Sequence, residues 1–251
     1  VRKEVMRTYA TAAERLGVAQ DTFLEFGRHY ACFAGDGSPL TQAGGLTGQT
    51  SEDDMAELDR FFGDRTDRWE AVIGLEHGAE TVQWLLDSGG SFEQYELVMT
   101  LAPRNRRTEK RPAPEITICR VKGSAEEWGQ VATEAFFGHE TSKQMPIRRI
   151  LENSPDTRRY IGYWNGTPAA AALTVETEHG AMLGGMATLP AFRRRGLQLA
   201  MLEHRLADIA PDHRLAVLES VPGTASHRNA LRLGFTPANL QVSVSVPMET
   251  H

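Results

Sequence analysis

The chain has 251 residues, 41% of them hydrophobic, 24% charged and 8% aromatic, with a net charge of −6. That length allows one large domain or two modest ones, and the composition is globular, which excludes disordered, collagen-like and fibrous classes. Only Cys32 and Cys119 occur, so no disulfide framework is expected and a reducing, cytoplasmic setting is.

No apolar run reaches the roughly 18 residues that span a bilayer. The longest, over 167–175, is short and Ala-rich. Arg2, Lys3, Glu4, Arg7, Glu14 and Arg15 are not the start of a signal peptide. No membrane partner is expected. Residues 1–102 hold 8 basic and 18 acidic side chains, residues 103–114 hold 5 basic and 1 acidic, and residues 115–251 hold 14 of each. The acidic first part argues against a nucleic-acid partner, because phosphate neutralisation needs basic surface. The basic run Arg104 to Arg111 is flanked by Pro103, Pro112 and Pro114, which predicts a solvated linker over 103–114.

In chain order, Tyr30-Ala-Cys-Phe-Ala-Gly-Asp-Gly-Ser-Pro has the form of a hairpin about Asp36-Gly37, since Asp-Gly suits a type I′ turn. Ser51-Glu-Asp-Asp then predicts an acid-rich helix start. A buried strand over 69–75, a helix over 79–88 ending at Gly89-Gly90, and an alternating strand over 95–101 follow. After the linker, a strand is expected over 116–122. Ser124 with Glu127 reads as a capping box starting a helix, and a second helix lies near 143–152. Tyr160-Ile-Gly-Tyr-Trp-Asn-Gly-Thr-Pro repeats the hairpin pattern, 129 residues after the first. Strands are expected over 159–164, 167–177 and 180–189, then a helix over 197–209, a strand over 214–219, a helix over 224–233 before Gly234, and a last strand pair including 240–246. The late elements repeat those of the first half at an offset of about 145. A duplication is therefore expected, with 1–102 and 115–251 as its two units.

What the second unit adds is Pro190-Ala-Phe-Arg-Arg-Arg-Gly-Leu-Gln between a strand and a helix. Gly196 lets the backbone turn close to a ligand. Free N–H groups at a helix start bind anions. Arg193, Arg194 and Arg195 oppose the helix dipole unless an anion sits among them. This segment resembles the acyl-CoA loop of the GNAT N-acetyltransferase superfamily, an Arg or Gln, two residues, Gly, one residue, then Gly or Ala. Arg193 and Gly196 match, whereas Gln198 departs from the small final residue. The order of elements over 115–251 is similar to the family throughout. The segment Pro222 to Phe235, together with Ala187 to Leu202, resembles a bacterial subgroup of tandem GNAT proteins.

The resemblance implies an α/β (α+β) fold of two tandem GNAT-like domains. Each would be a mixed, mostly antiparallel sheet flanked by helices, with the C-terminal one complete and the N-terminal one degenerate. It implies acetyl-CoA or another acyl-CoA as cofactor. The backbone of Met186, Ala187 and Thr188 would hold the pantetheine arm, and Arg193, Arg194, Arg195, Gly196, Leu197 and Gln198 the pyrophosphate. Ser226 and Asn229 would also reach the cofactor. The implied reaction is direct acyl transfer to a primary amine of a small molecule or peptide. Glu219 is the expected base. His139 and His227 are lesser candidates, each more simply a surface histidine. Many relatives carry a Tyr acid near position 230, but Ala230 stands here, which leaves Ser226 or solvent as proton donor. The first half lacks an Arg-x-x-Gly loop, and Glu52, Asp53 and Asp54 would repel a pyrophosphate, so no CoA site is expected there. Its role would be to pack on the second half and wall the acceptor cleft, where its acidity would attract a cationic amine. No metal site is expected, and the assembly would be a monomer or homodimer. A non-catalytic acyl-CoA-binding or sensing protein and an interaction scaffold are the alternative readings.

Overall fold

The computed structural model describes residues 1–76, 78–107, 112–138, 145–209 and 215–248. The expected second-helix start at Lys143, the expected strand start at Arg214, His139, and residues 108–111 of the basic run lie outside the described residues.

The chain opens with helix α1 (Arg2–Arg15), absent from the sequence-based expectations, whose buried face pairs Val5, Met6 and Tyr9 with Ala10, Ala12 and Ala13. Strands β1 (Phe23–Phe26), β2 (His29–Cys32) and β3 (Gln42–Leu46) follow. Helix α2 (Glu52–Phe62) starts at a capping box between Ser51 and Asp54, as its acid-rich start predicts. Then come β4 (Arg68–Gly74), α3 (Ala79–Asp87) and β5 (Ser91–Leu101). The second half runs β6 (Ile116–Arg120), α4 (Glu126–Phe137), α5 (Met145–Asn153), β7 (Thr157–Trp164), β8 (Thr167–Thr177) and β9 (Gly180–Thr188). It ends with α6 (Leu197–Asp208), β10 (Ala216–Ser220), α7 (Ala225–Arg232) and β11 (Thr236–Pro247).

The eleven strands of the described residues join one sheet, in the order β1-β2-β3-β4-β11-β5-β10-β9-β8-β7-β6. The β3–β4 and β9–β10 pairs are parallel and the rest antiparallel. The expected last strand pair is instead one long strand, β11, and it does not pair with its own half. It runs antiparallel to β4 of the first half, while β5 of the first half runs antiparallel to β10 of the second. β5 and β11 then pair with each other, from Thr236 opposite Thr100 to Ser245 opposite Ser91. The two halves thus exchange their final strands. Each exchange covers a sheet edge that would otherwise present unpaired N–H and C=O groups. Heating should therefore give a single cooperative unfolding transition by calorimetry, whereas two separable transitions would contradict the exchange.

Alternation along the strands sets the two faces. On one face α1, α4 and α5 cover Tyr30, Cys32, Leu173, Val175, Met182 and Val217. On the other, α2 and α3 cover Ala31, Ala43, Ala71 and Ile73, and α6 and α7 cover Ala181, Leu183, Ala216 and Leu218. The α1–α4–α5 face is bridged by the first half, since α1 packs on both β2 and β8.

Three local expectations are corrected. Asn165-Gly166 does form a two-residue hairpin, with φ +47 and +76, and joins β7 to β8. Asp36-Gly37, by contrast, lies in a long connection between β2 and β3, and only Gly37 of the pair has positive φ. By strand position, the counterpart of the β7–β8 hairpin is the β1–β2 hairpin at Gly27-Arg28. Composition alone matched two turns that sit at different joints of the duplicated fold. The Ser124–Glu127 capping box does not form. Ala125 is the N-cap, the Ser124 hydroxyl accepts from the N–H of Glu126 at 3.3 Å, and the Glu127 carboxylate accepts from the Tyr163 hydroxyl at 2.8 Å. The start of the expected solvated linker is also packed. Pro103 is buried, and the N–H of Arg107 donates to the carbonyl of Leu233 at 3.0 Å.

Candidate active site

The site begins where two parallel strands stop pairing. β9 and β10 pair only at Ala181 opposite Ala216 and Met182 opposite Val217. Beyond that point β9 stays on β8 and β10 stays on β5, so the two strands diverge into a wedge. The corresponding strands of the first half, β3 and β4, stay paired from Gln42 to Leu46. A bulge interrupts the β8–β9 register between Ala171 and Leu173, and Gly185 takes φ +56 there. Carbonyls at the bulge receive side-chain donors. Trp128 Nε1 donates to Ala172 at 2.9 Å, and Arg205 Nη1 donates to Leu173 at 2.8 Å and Gly184 at 3.1 Å.

A cavity of about 270 Å³ fills the wedge, lined by Gly184, Gly185, Met186, Leu218, Glu219 and Ser226 among others. Beside it runs a groove of about 800 Å³ that shares Phe136, Met186, Gln198 and Asn229 with the cavity. The groove is lined by Ala187, Thr188, Arg193, Arg194, Gly196 and Leu197 from the second-half loop. After β9 the chain makes one 3₁₀ turn at Pro190–Phe192. Arg194 then takes φ +63 and Gly196 φ +85, a left-handed N-cap of α6. The first helical bond runs from the N–H of Ala200 to the carbonyl of Gly196. The N–H groups of 197–199 therefore open on the groove end, which suits an anion.

The loop arginines divide by role. Arg193 Nε donates to the Thr188 carbonyl at 3.1 Å and so ties the loop to β9. Arg194 lines the groove. Arg195 is not brought into the groove. Its guanidinium stacks 4.8 Å from the Trp164 ring and 5.6 Å from the Phe192 ring. Leu197 buries its side chain in the core at 1% exposure, so only its backbone is available to a ligand. The Gln198 amide oxygen accepts from Asn229 Nδ2 at 3.0 Å, which holds the bulky side chain against α7. Two further cations, Arg228 and Arg232 of α7, line the same groove. The sequence reading passed over them, although their i, i+4 spacing on one helix was the available signal.

At the inner end stands Glu219, its side chain 16% exposed. It is ion-paired to Arg2 of α1, whose other guanidinium nitrogen donates to Gln42 at 2.7 Å. Burial disfavours the Arg2 charge, but Glu219 and the Tyr30 and Glu70 side chains hold it firmly protonated. Glu96 of β5 lines the same cavity. Its one described hydrogen bond is a long one, 3.4 Å from Gln241 Nε2. Burial, then the Glu219 and Glu70 charges, push the Glu96 carboxyl above its ordinary range, against Arg2 and Gln241, which lower it. No sequence signal marked Glu96, because it enters the cleft only through the strand exchange. His227 lies outside both hollows, its Nδ1 accepting from the N–H of Gly223 at 3.0 Å. Ala230, where a Tyr would stand, is fully buried.

Residues 125–235 match the model of the acetyltransferase (GNAT) family. The match runs from the start of α4 to the end of α7. A GCN5-related N-acetyltransferase from Kribbella flavida has a similar structure, with TM-score 0.66 and 15% identity over 98% of this chain and 95% of that one. A functionally unknown conserved protein from Staphylococcus epidermidis matches with TM-score 0.63 and 12% identity, over 94% of this chain and 97% of that one. A tandem GNAT protein from the clavulanic acid biosynthesis pathway matches with TM-score 0.56 and 14% identity, over 98% and 94%. At these identities the likeness establishes the fold, and that fold is the tandem GNAT fold across nearly the whole chain. Among curated proteins none matches the chain in sequence. Acyl transfer from CoA is the general chemistry of GNAT proteins. None of the described helices is long and apolar enough to cross a membrane.

Proposed function

We propose that the GNAT domain moves an acetyl or other short acyl group from CoA directly to a primary amine. The observation that carries this reading is the wedge between β9 and β10 opening onto the arginine-lined start of α6. That arrangement fits an elongated cofactor with an anionic middle. The N–H groups of 197–199 with Arg194, Arg228 and Arg232 would take its pyrophosphate. The free edge of β9 at Met186, Ala187 and Thr188 would pair with its amide-bearing arm, as an added strand would. The thioester would then lie at the wedge, beside the bulge that Trp128 and Arg205 hold in shape.

In the reaction the amine nitrogen attacks the thioester carbon, the C–N bond forms and the C–S bond breaks. The amine proton passes to a carboxylate, and the departing thiolate takes a proton from Ser226 or water. Two carboxylates face this point. Glu219 has its charge engaged by Arg2, whereas Glu96 has no cation hydrogen-bonded to it among the described residues. Glu96 is therefore the stronger base and Glu219 the positioning group. Glu70, Glu96 and Arg2 all come from the first half, which supports the division into units 1–102 and 115–251 with a cleft made by both. The excess of carboxylates favours a cationic acceptor, a small-molecule or peptide amine. Work in the cytoplasm, as a monomer or homodimer without nucleic acid, completes the reading.

A sensing protein that binds acyl-CoA without turnover is the second reading, favoured by the Arg2–Glu219 pair and by Ala230 in place of a Tyr acid. Titration calorimetry with acetyl-CoA, then free-thiol release across a panel of amines, separates the two. Binding below millimolar with thiol release supports the transferase. Binding without release from any amine supports the sensor, and no binding sinks both.

A further inference from the structure

Arg205 sits in the third turn of α6 and is 2% exposed. It lines the wedge cavity from the α6 face of the sheet. Glu219 reaches the cavity from the other face, where its partner Arg2 belongs to α1. Among the described residues no carboxylate lies within ion-pair distance of Arg205, and its Nε is buried without a partner. Its hydrogen bonds to the Leu173 and Gly184 carbonyls serve the bulge. Those two acceptors need donors, which a neutral amide side chain could also supply. A guanidinium is more than they require, and burying one without a counter-charge is far costlier than burying a paired one. Burial lowers its pKa to about 10, so it remains a cation at neutral pH. The cavity, at about 270 Å³, has room beyond an acetyl group.

We infer that the inner end of the wedge binds a carboxylate, and that the acyl-CoA used here carries a dicarboxylic chain of the succinyl type with Arg205 as its counter-ion. This rests on the acyl-CoA reading of the groove above. A carboxylate could also arrive on the acceptor. Arg205 reaches the wedge from the face opposite Glu219, which favours the acyl chain as its source.

The test is titration calorimetry of the full chain with succinyl-CoA, butyryl-CoA and free CoA. Succinyl and butyryl chains have the same number of carbons and differ in the terminal carboxylate. Succinyl-CoA should bind about 30-fold more tightly than butyryl-CoA, as a charge-assisted hydrogen bond in a dry site predicts. In Arg205→Gln, whose amide can still donate to the bulge carbonyls but carries no charge, the ratio of succinyl-CoA to butyryl-CoA affinity should fall to about 1. Equal affinities in the parent protein overturn the inference while leaving the acyl-CoA reading intact, and this comparison decides even if Arg205→Gln fails to fold. A preference that survives in a folded Arg205→Gln also overturns it. If neither ester nor free CoA binds, the acyl-CoA reading itself falls.

Discussion

Gly196→Asp should lower CoA affinity by about 100-fold or more while the protein stays folded. Gly196 is the N-cap of α6 with φ +85, and a Cβ there would meet only Ile116 Cδ1, at 3.7 Å. Space is therefore not the obstacle. A side chain at this φ costs about 1–2 kcal/mol, which predicts a fall in Tm of roughly 2–8 °C with unchanged far-UV circular dichroism. The charge is the larger effect. A carboxylate about 4 Å from a pyrophosphate oxygen opposes it by about 4 kcal/mol at an effective dielectric near 20. Gly196→Ala carries the backbone strain without the charge and should lose only about tenfold. Calorimetry with CoA on both variants checks this, and full affinity in Gly196→Asp would remove the loop from the site.

Glu96→Gln should cut turnover by about 100-fold with the acceptor identified by thiol release, and leave acetyl-CoA affinity within about twofold. Glu219→Gln should cost less, because the Arg2 pair already engages that carboxylate. The opposite ranking would restore Glu219 as the base. A stability measurement tests the same environment without substrate. The Glu96 carboxyl is pushed up by burial and by the charges of Glu219 and Glu70, and opposed by Arg2 and by the Gln241 hydrogen bond. A carboxyl raised in the folded state favours folding below its unfolded pKa, and that contribution is lost as pH rises through the folded value. Glu96→Gln should therefore raise Tm relative to the parent at pH 8, by about 1–3 °C, and raise it less at pH 4. The same shift at both pH values would mean that Glu96 is not held in a charge-disfavouring site.

Much of the fold was legible in local chemistry. Gly89 and Gly234, at φ +93 and +96, stand just past α3 and α7 as their helix-ending positions predict. The Asn165-Gly166 hairpin, the 167–177 strand and the Arg-rich loop before α6 were equally plain, because turns, strand alternation and helix ends are decided by neighbouring residues. Where a long-range partner competes with a local signal, the reading failed. Ser124 and Glu127 have the spacing of a capping box, yet Glu127 is taken by Tyr163 from β7. Arg195 has the look of a phosphate ligand, yet Trp164 of the same strand supplies a ring for it to stack on.

By itself the sequence determined the duplicated order of elements and the arginine-rich turn at Gly196 into α6, since both follow from contacts a few residues apart. Only the tertiary structure decided that β5 and β11 change places. Both strands alternate in the same way, and nothing local distinguishes the β4 edge from the β10 edge. That choice sets Glu96 of the first half beside Glu219 of the second, and α1 brings Arg2 to the same point. The inner end of the wedge cavity is thus a property of which sheet edges meet, and its charges can be read only once they have met.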